Sequence, residues 1–211
     1  MKQATVQKGK VLPENIPAPN VSEGSVLIKV VNSCISAGTE ISGVKGSEGN
    51  KITKALKQPE QVRKALNLAA SEGITKVVEK IKSKSEERKP TGYSISGIVI
   101  AVGEGVKKYE PGDKVAAAGA GIANHAEFVD VPENLVIRMP QDMNFKLAST
   151  VTLGGIAMHG IRRADLKLGE FGVVFGAGIL GLLSLQMLQN TGIRTAAIDL
   201  DDNRLQIAKE L

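Results

Sequence analysis

The sequence predicts a mixed α and β protein in two parts. A β-rich part covers residues 1–140 and carries a helical insertion at about 51–89, and the opening of an α/β unit covers 141–211. Three observations lead there. Short apolar runs separated by Gly and Pro turns fill most of the first 140 residues, the pattern of a small barrel or rolled sheet. Between them lies a Lys-, Glu-, Ala- and Leu-rich stretch in which Ile74, Val77, Val78 and Ile81 recur at helical spacing. Finally, Val173-Val174-Phe175 runs into Gly176-Ala177-Gly178-Ile179-Leu180-Gly181, then a leucine-rich helix, then Ala196-Ala197-Ile198 and Asp199.

The elements follow in order. Pro13, Pro17 and Pro19 restrict the N-terminal stretch to edge strand and loop. Gly24 to Val31 reads as a strand with Val26, Ile28 and Val30 on one face and Lys29 on the other. It ends in the small polar stretch Asn32 to Glu40, suited to a loop lining a site. In the insertion, Pro59 fits the first turn of a helix, and Val62, Ala65, Leu66 and Ala69 share a face. Strands are then expected at Ser96–Val102, from Lys114, at Ala126–Val131 and at Leu135–Met139, with turns at Gly103-Glu104-Gly105 and Pro111-Gly112-Asp113 and a glycine-rich loop from Gly119 to His125. A helix-like stretch from Phe145 to Ala164 leads to the α/β unit, whose two apolar strands read as buried.

That unit carries the strongest chemical signal. G-x-G-x-x-G between a strand and a helix, with an acid about 20 residues on, is a dinucleotide-binding fingerprint. Gly176 permits the tight turn, Gly178 lets a pyrophosphate approach the backbone, and Gly181 lets the helix pack against the strand. Ile179 and Leu180 open a helix whose free N–H groups and dipole favour phosphate. Asp199 accepts hydrogen bonds from a ribose diol and repels a 2′-phosphate, which favours NAD(H) over NADP.

Composition narrows the remaining classes. The net charge of +5 is concentrated in Lys51–Lys89, where 11 basic residues face 5 acidic ones, leaving 16 and 17 elsewhere. A charge run of that kind is usually a solvated helix face, although reversing Lys76, Lys80 and Lys84 would test it for a partner. The absence of tryptophan and the 3% aromatic content argue against nucleic-acid stacking surfaces. No apolar run reaches the ~18 residues of a membrane span. A single cysteine excludes an internal disulfide and a multi-cysteine zinc site, and the expected compartment is a reducing, cytoplasmic one.

Several segments together resemble one family: CISAGTE (Cys34 to Glu40), GYSISG (Gly92 to Gly97), the PGD-K-V turn, AGAGIANHAEFV (Ala118 to Val129), TLGGIAMHGIRRA (Thr152 to Ala164) and IDLDDNR (Ile198 to Arg204). The chain resembles the zinc-type alcohol dehydrogenases, the medium-chain dehydrogenase/reductases. It is most similar to a branch found in surface-polysaccharide gene clusters, where the module is often fused to a second oxidoreductase. The resemblance implies a GroES-like catalytic domain over 1–140, then a connecting helix and the first half of a Rossmann domain over 141–211. It implies an alcohol, sugar or polyol substrate or its carbonyl partner, a homodimer formed through the Rossmann domain of the complete protein, and Thr152 and Arg204 as further cofactor contacts.

The zinc ligands depart from the family pattern. Cys34 stands at the first ligand position, the GHE motif reads Gly92-Tyr93-Ser94, and the third position falls near Thr152. One thiol, a phenol and a hydroxyl are not a zinc set, and no structural zinc lobe is present, so zinc is expected to be absent. Tyr93 is then the first candidate to polarise a carbonyl, Ser36 and Thr39 are candidates to relay a proton, and His125 is a candidate general acid/base. Cys34 reads as a small buried residue and His159 as a packing residue on the connecting helix. The alternatives are a zinc-dependent alcohol or sorbitol-type dehydrogenase, and a non-catalytic binding module on the same scaffold. A six-stranded sheet needs further βα units of about 30 residues each. Roughly 100 more residues are therefore expected beyond Leu211, with the activity assigned to the parent protein.

Overall fold

A computed structural model of the chain describes residues 1–7, 9–41, 88–167 and 169–211. The helical insertion at 51–89 and its basic face fall almost wholly outside the described residues. Its last residue, Lys89, does not belong to it, because Lys89–Pro90 is a short strand, β4.

The first part is built on antiparallel strands. Lys2–Gln7 (β1) and Lys10–Asn15 (β2) form a hairpin, with β4 on the other side of β1. Pro13 lies in β2, an outer strand, where its missing N–H costs no ladder bond. Five further strands make the main sheet, in the order β7-β3-β5-β6-β8. They are Ser25–Ser33 (β3), Ser94–Val102 (β5), Lys114–Ala118 (β6), Phe128–Pro132 (β7) and Val136–Arg138 (β8). β5 begins two residues before the apolar run, because Ser94 and Ser96 pair with Ala118 and Ala116 while their buried hydroxyls bond elsewhere. β7 starts at Phe128 rather than Ala126, and residues 133–135 form a 3-10 turn that shortens β8.

The core follows from the alternation along these strands. Val26, Ile28, Ile95, Val115 and Val131 are fully buried, with Val99, Ala117 and Val129 beside them. Gly97 is obligatory at the centre. A Cβ there would stand 2.2 Å from the Lys29 carbonyl oxygen, where β5 crosses the irregular register of β3.

The link to the second part is two helices rather than one: Phe145–Ala148 (α1), capped by the Asn144 side chain, and Val151–Ala164 (α2). Two buried serines of β5 hold this link. Ser96 Oγ donates to the Phe145 carbonyl at 2.5 Å, and Ser94 Oγ donates to the Ser149 carbonyl at 2.6 Å. His159 on α2 is exposed, so the packing role expected for it does not hold.

Phe171–Phe175 (β9), Ile179–Asn190 (α3), Arg194–Ile198 (β10) and Asp202–Glu210 (α4) complete the described chain, with β9 and β10 parallel and in direct register. Neither strand is buried as its sequence predicts. Phe171, Val173 and Phe175 are exposed on one face of β9, and Ile198 is exposed at the end of β10. A run apolar on both faces belongs to a parallel strand covered on both sides, and here α3 packs on the pair and α4 against β10.

Candidate active site

Two groups of residues are candidates for the chemistry. The first is the glycine turn after β9. Gly176 has φ +94°, a conformation that favours glycine, and its N–H donates to the Ile198 carbonyl at 2.7 Å, joining the turn to β10. A Cβ on Gly178 would meet nothing within 4 Å, so the space above it is open to a ligand. A Cβ on Gly181 would lie 1.9 Å from the Gly176 carbonyl oxygen, which is why the first turn of α3 can sit on the loop only with glycine there. Gly178 is the N-cap of α3 and supplies no side chain to its free N–H groups, leaving them to an anion. Ile179 and Leu180, partly exposed, flank the opening.

Asp199 leaves the end of β10 toward this turn. Its Oδ2 accepts the Ala177 N–H at 2.6 Å, and its Oδ1 accepts the Asp201 N–H at 2.9 Å. Those bonds, first from Asp201 and then from Ala177, hold its carboxyl below the usual carboxylate range, with Arg204 adding to the effect. Arg204 Nη1 lies 3.7 Å from Asp199 and its Nε 3.6 Å from Asp201. The donor-rich turn, the open glycine and the ionised acid fit a dinucleotide.

The second group surrounds the start of β5. Tyr93 is half-buried, and its carbonyl accepts from Gly119 N–H at 3.0 Å and from Thr152 Oγ1 at 3.1 Å. Thr152 is therefore spent on the main chain, and its own N–H donates to Ser94 Oγ at 3.2 Å. Ser36 is buried and Thr39 exposed, with 3.5 Å between their hydroxyl oxygens. Cys34 is half-buried, and burial first, then the nearby Glu40 charge, pushes its thiol up.

The centre of this group is Glu40, which the sequence reading left inside a motif without a role. Its Oε1 accepts the Ser36 N–H at 3.0 Å, while Oε2 lies 3.1 Å from His125 Nε2 and 3.5 Å from Thr91 Oγ1. His125 is fixed from both sides: its N–H donates to the Thr91 carbonyl, and its carbonyl accepts from Ala4 N–H, each at 2.8 Å. Gly92, φ +99°, lies against it so closely that a Cβ would stand 2.8 Å from the ring Cγ. The signal available in the sequence was an acid closing a loop of Ser, Cys and Thr. Its partners lie 51 and 85 residues further on, at Thr91 and His125.

These donors do not fit zinc. The Ser94 and Thr152 hydroxyls are bonded to main-chain carbonyls, and a single thiol with the Tyr93 phenol is not a zinc donor set. Among the described residues no group of three or more His, Cys, Asp or Glu is placed to hold a metal ion.

Comparison with known proteins defines the class. No protein-family model matches the chain. It is 30% identical over 145 residues to (R,R)-butanediol dehydrogenase of Bacillus subtilis, an alignment covering 57% of this chain and 42% of that protein. It is 24% identical to L-threonine 3-dehydrogenase of Rhizobium johnstonii over 94% of this chain and 56% of that one. Among solved structures, galactitol-1-phosphate dehydrogenase from Escherichia coli superposes on the whole chain with a TM-score of 0.75 at 19% identity, over 59% of its own length. A mycobacterial protein complexed with NADPH gives 0.73 at 21% identity, over 100% of this chain and 56% of its own. The chain thus has the fold of the medium-chain dehydrogenase/reductases, and the curated relatives it matches are named as butanediol, alcohol, L-arabinitol and L-threonine dehydrogenases. It spans less than half the length of the first curated relatives it matches. Among the described residues no helix is long and apolar enough to cross a membrane.

Proposed function

We propose that the protein carrying this chain is an NAD(H)-dependent oxidoreductase that interconverts an alcohol of the sugar or polyol type and its carbonyl form without zinc. The observation that carries the reading is the turn at Gly176–Gly181, open over Gly178 and closed by Asp199. The curated relatives named for butanediol, L-arabinitol and D-xylulose support the substrate class. A bound nicotinamide would supply or accept the hydride. The chain's own share is to hold the pyrophosphate on the α3 N-terminus, to accept the ribose hydroxyls on Asp199, and to offer Tyr93, Ser36, Thr39 and His125 as the polar groups facing the reacting oxygen.

The test is a fluorescence titration of the full-length protein with NADH and NADPH, run beside metal analysis. Tight NADH binding in metal-free protein supports the reading. Near-stoichiometric zinc removed only with loss of turnover would overturn the zinc-free part, and absence of dinucleotide binding would overturn all of it. Arg204, half-exposed beside Asp199, favours a second outcome for the cofactor, because its guanidinium could meet a 2′-phosphate. Preference for NADPH, lost in Arg204→Ala, would establish that alternative.

A further inference from the structure

We infer that Glu40, backed by His125, is the group that takes up and returns the hydroxyl proton of this reaction. The inference rests on the proposed oxidoreductase reading. When a carbinol becomes a carbonyl, its C–H electron pair leaves as hydride to the dinucleotide and its O–H bond must release a proton; the reverse step must supply one.

The geometry points to Glu40 for three reasons. A carboxylate and an imidazole, with side chains only 15% and 12% exposed, face each other at 3.1 Å, Glu40 from the helical turn at 37–41 and His125 from a loop. Burying such a pair loses hydration that a stable fold does not require it to lose. Second, the His125 ring cannot turn. Its backbone is bonded on both sides, Gly92 packs on its face, and its Nδ1 is buried without a partner. Nε2 is therefore the nitrogen that meets Glu40. Third, Glu40 is tied to two hydroxyl-bearing segments of the pocket. It bonds to the Ser36 N–H and the Thr91 hydroxyl, and the Ser36 and Thr39 hydroxyls lead outward to exposed surface. Its charge also reaches Cys34, whose thiol it raises.

The experiment is Glu40→Gln in the full-length protein, with Glu40→Asp as the conservative variant. Gln keeps an oxygen for the Ser36 N–H, puts an NH2 group where Oε2 met Thr91 and His125, and cannot hold the proton. Three readouts apply. The ¹⁵N imidazole spectrum should show His125 as a hydrogen-bonded Nε2–H ring that changes in Glu40→Gln, while the exposed His159 stays unchanged. NADH affinity should stay within about twofold. Turnover of the polyol that wild type oxidises should fall about 100-fold or more, with KM little changed and partial rescue by Asp. A His125 signal indistinguishable from His159 in wild type, or unaltered turnover in Glu40→Gln, overturns the inference. Loss of NADH binding together with turnover also overturns it, by making Glu40 merely structural. Failure of wild type itself to bind NADH is a separate result and defeats the oxidoreductase reading instead.

Discussion

The two halves of the chain use apolar residues in opposite ways. In the five-stranded antiparallel sheet, alternation sends Val26, Ile28, Ile95 and Val115 into a core that excludes water completely. Each such side chain contributes about 1.5–3 kcal/mol by burial. In the parallel β9–β10 pair the density of apolar residues is as high, yet Phe175 is 78% exposed and Val173 47%. The difference is one of cover. An antiparallel meander can close a core from its own strands, whereas a parallel pair needs layers on both faces. The candidate chemistry divides along the same line: a rigid sheet displays the polar pocket at its rim, and a thinly covered βαβα segment presents the dinucleotide turn.

Glycine substitutions test that contrast most severely. Gly97→Ala drives a Cβ to within 2.2 Å of the Lys29 carbonyl and 2.7 Å of Ile28 Cγ2. Neither backbone nor core can yield cheaply, so destabilisation of about 3 kcal/mol or more is expected, seen as a lowered Tm of the main transition. Gly181→Ala makes an equally close contact, 1.9 Å from the Gly176 carbonyl, but in the thinly covered half. It should leave the main transition within a degree or two while NADH binding is lost. Equal effects of the two variants on the main transition would mean that the halves unfold as one unit and that the contrast is wrong.

The join between the halves gives the next largest effect. Ser94 Oγ donates to the Ser149 carbonyl and accepts the Thr152 N–H, in a fully buried setting. Ser94→Ala orphans both partners, at a cost of about 1–3 kcal/mol, measured by urea titration. Because Thr152 also bonds the Tyr93 carbonyl, this variant should loosen α2 against β5 and raise hydrogen exchange at the α2 N-terminus. Ser96→Ala removes a bond to α1 instead and should leave α2 exchange unchanged.

Ser94 also shows where reading the sequence stops. As a residue it marks a departure from a metal-ligand motif, and nothing nearby in the chain says that its hydroxyl holds a helix 55 residues away. Glu40 is a parallel case, since its role exists only once Thr91 and His125 are folded against it. What the sequence does disclose is local. The glycine spacing and the acid at the strand end specify the turn because their geometry depends on immediate neighbours, and the alternation in β3 and the Pro/Gly turns specify the sheet for the same reason. The apolar run of β9 records the environment it is suited to, while its exposure depends on which layers cover it. The split between α1 and α2 at Ser149 and Thr150 follows from tertiary bonds to β5 that no local periodicity encodes.

A smaller, pH-dependent effect separates the dinucleotide turn from the sheet. The Asp199 carboxyl is held low by the Asp201 and Ala177 N–H groups. A depressed folded-state pKa contributes stability that is present above the ordinary carboxylate range and is lost as pH falls through the folded value. Asp199→Asn should therefore weaken the β9–β10 half at neutral pH and match wild type in strong acid, followed by hydrogen exchange or denaturant titration across pH. NADH affinity should fall in the same variant as ribose contacts are lost. A difference in stability that stays constant down to strong acid would mean that the N–H bonds favour neither protonation state.

The smallest effect is the most local and reads the polar pocket directly. Burial raises the Cys34 thiol pKa, and Glu40 raises it further. The reactive thiolate is then scarce at neutral pH, and the pH profile of alkylation in the folded protein should be displaced upward from that in urea. The linked stability term is present below the unfolded thiol pKa and lost as pH rises through the folded one. Glu40→Gln removes the second cause and leaves the first, so its alkylation profile should move part of the way back. The midpoint of the profile, rather than the absolute rate, is the quantity to compare, because steric access slows all pH values alike. A full return to the urea profile would assign the whole effect to Glu40 charge. No return would mean that solvent screens Cys34 from Glu40, leaving burial as the cause.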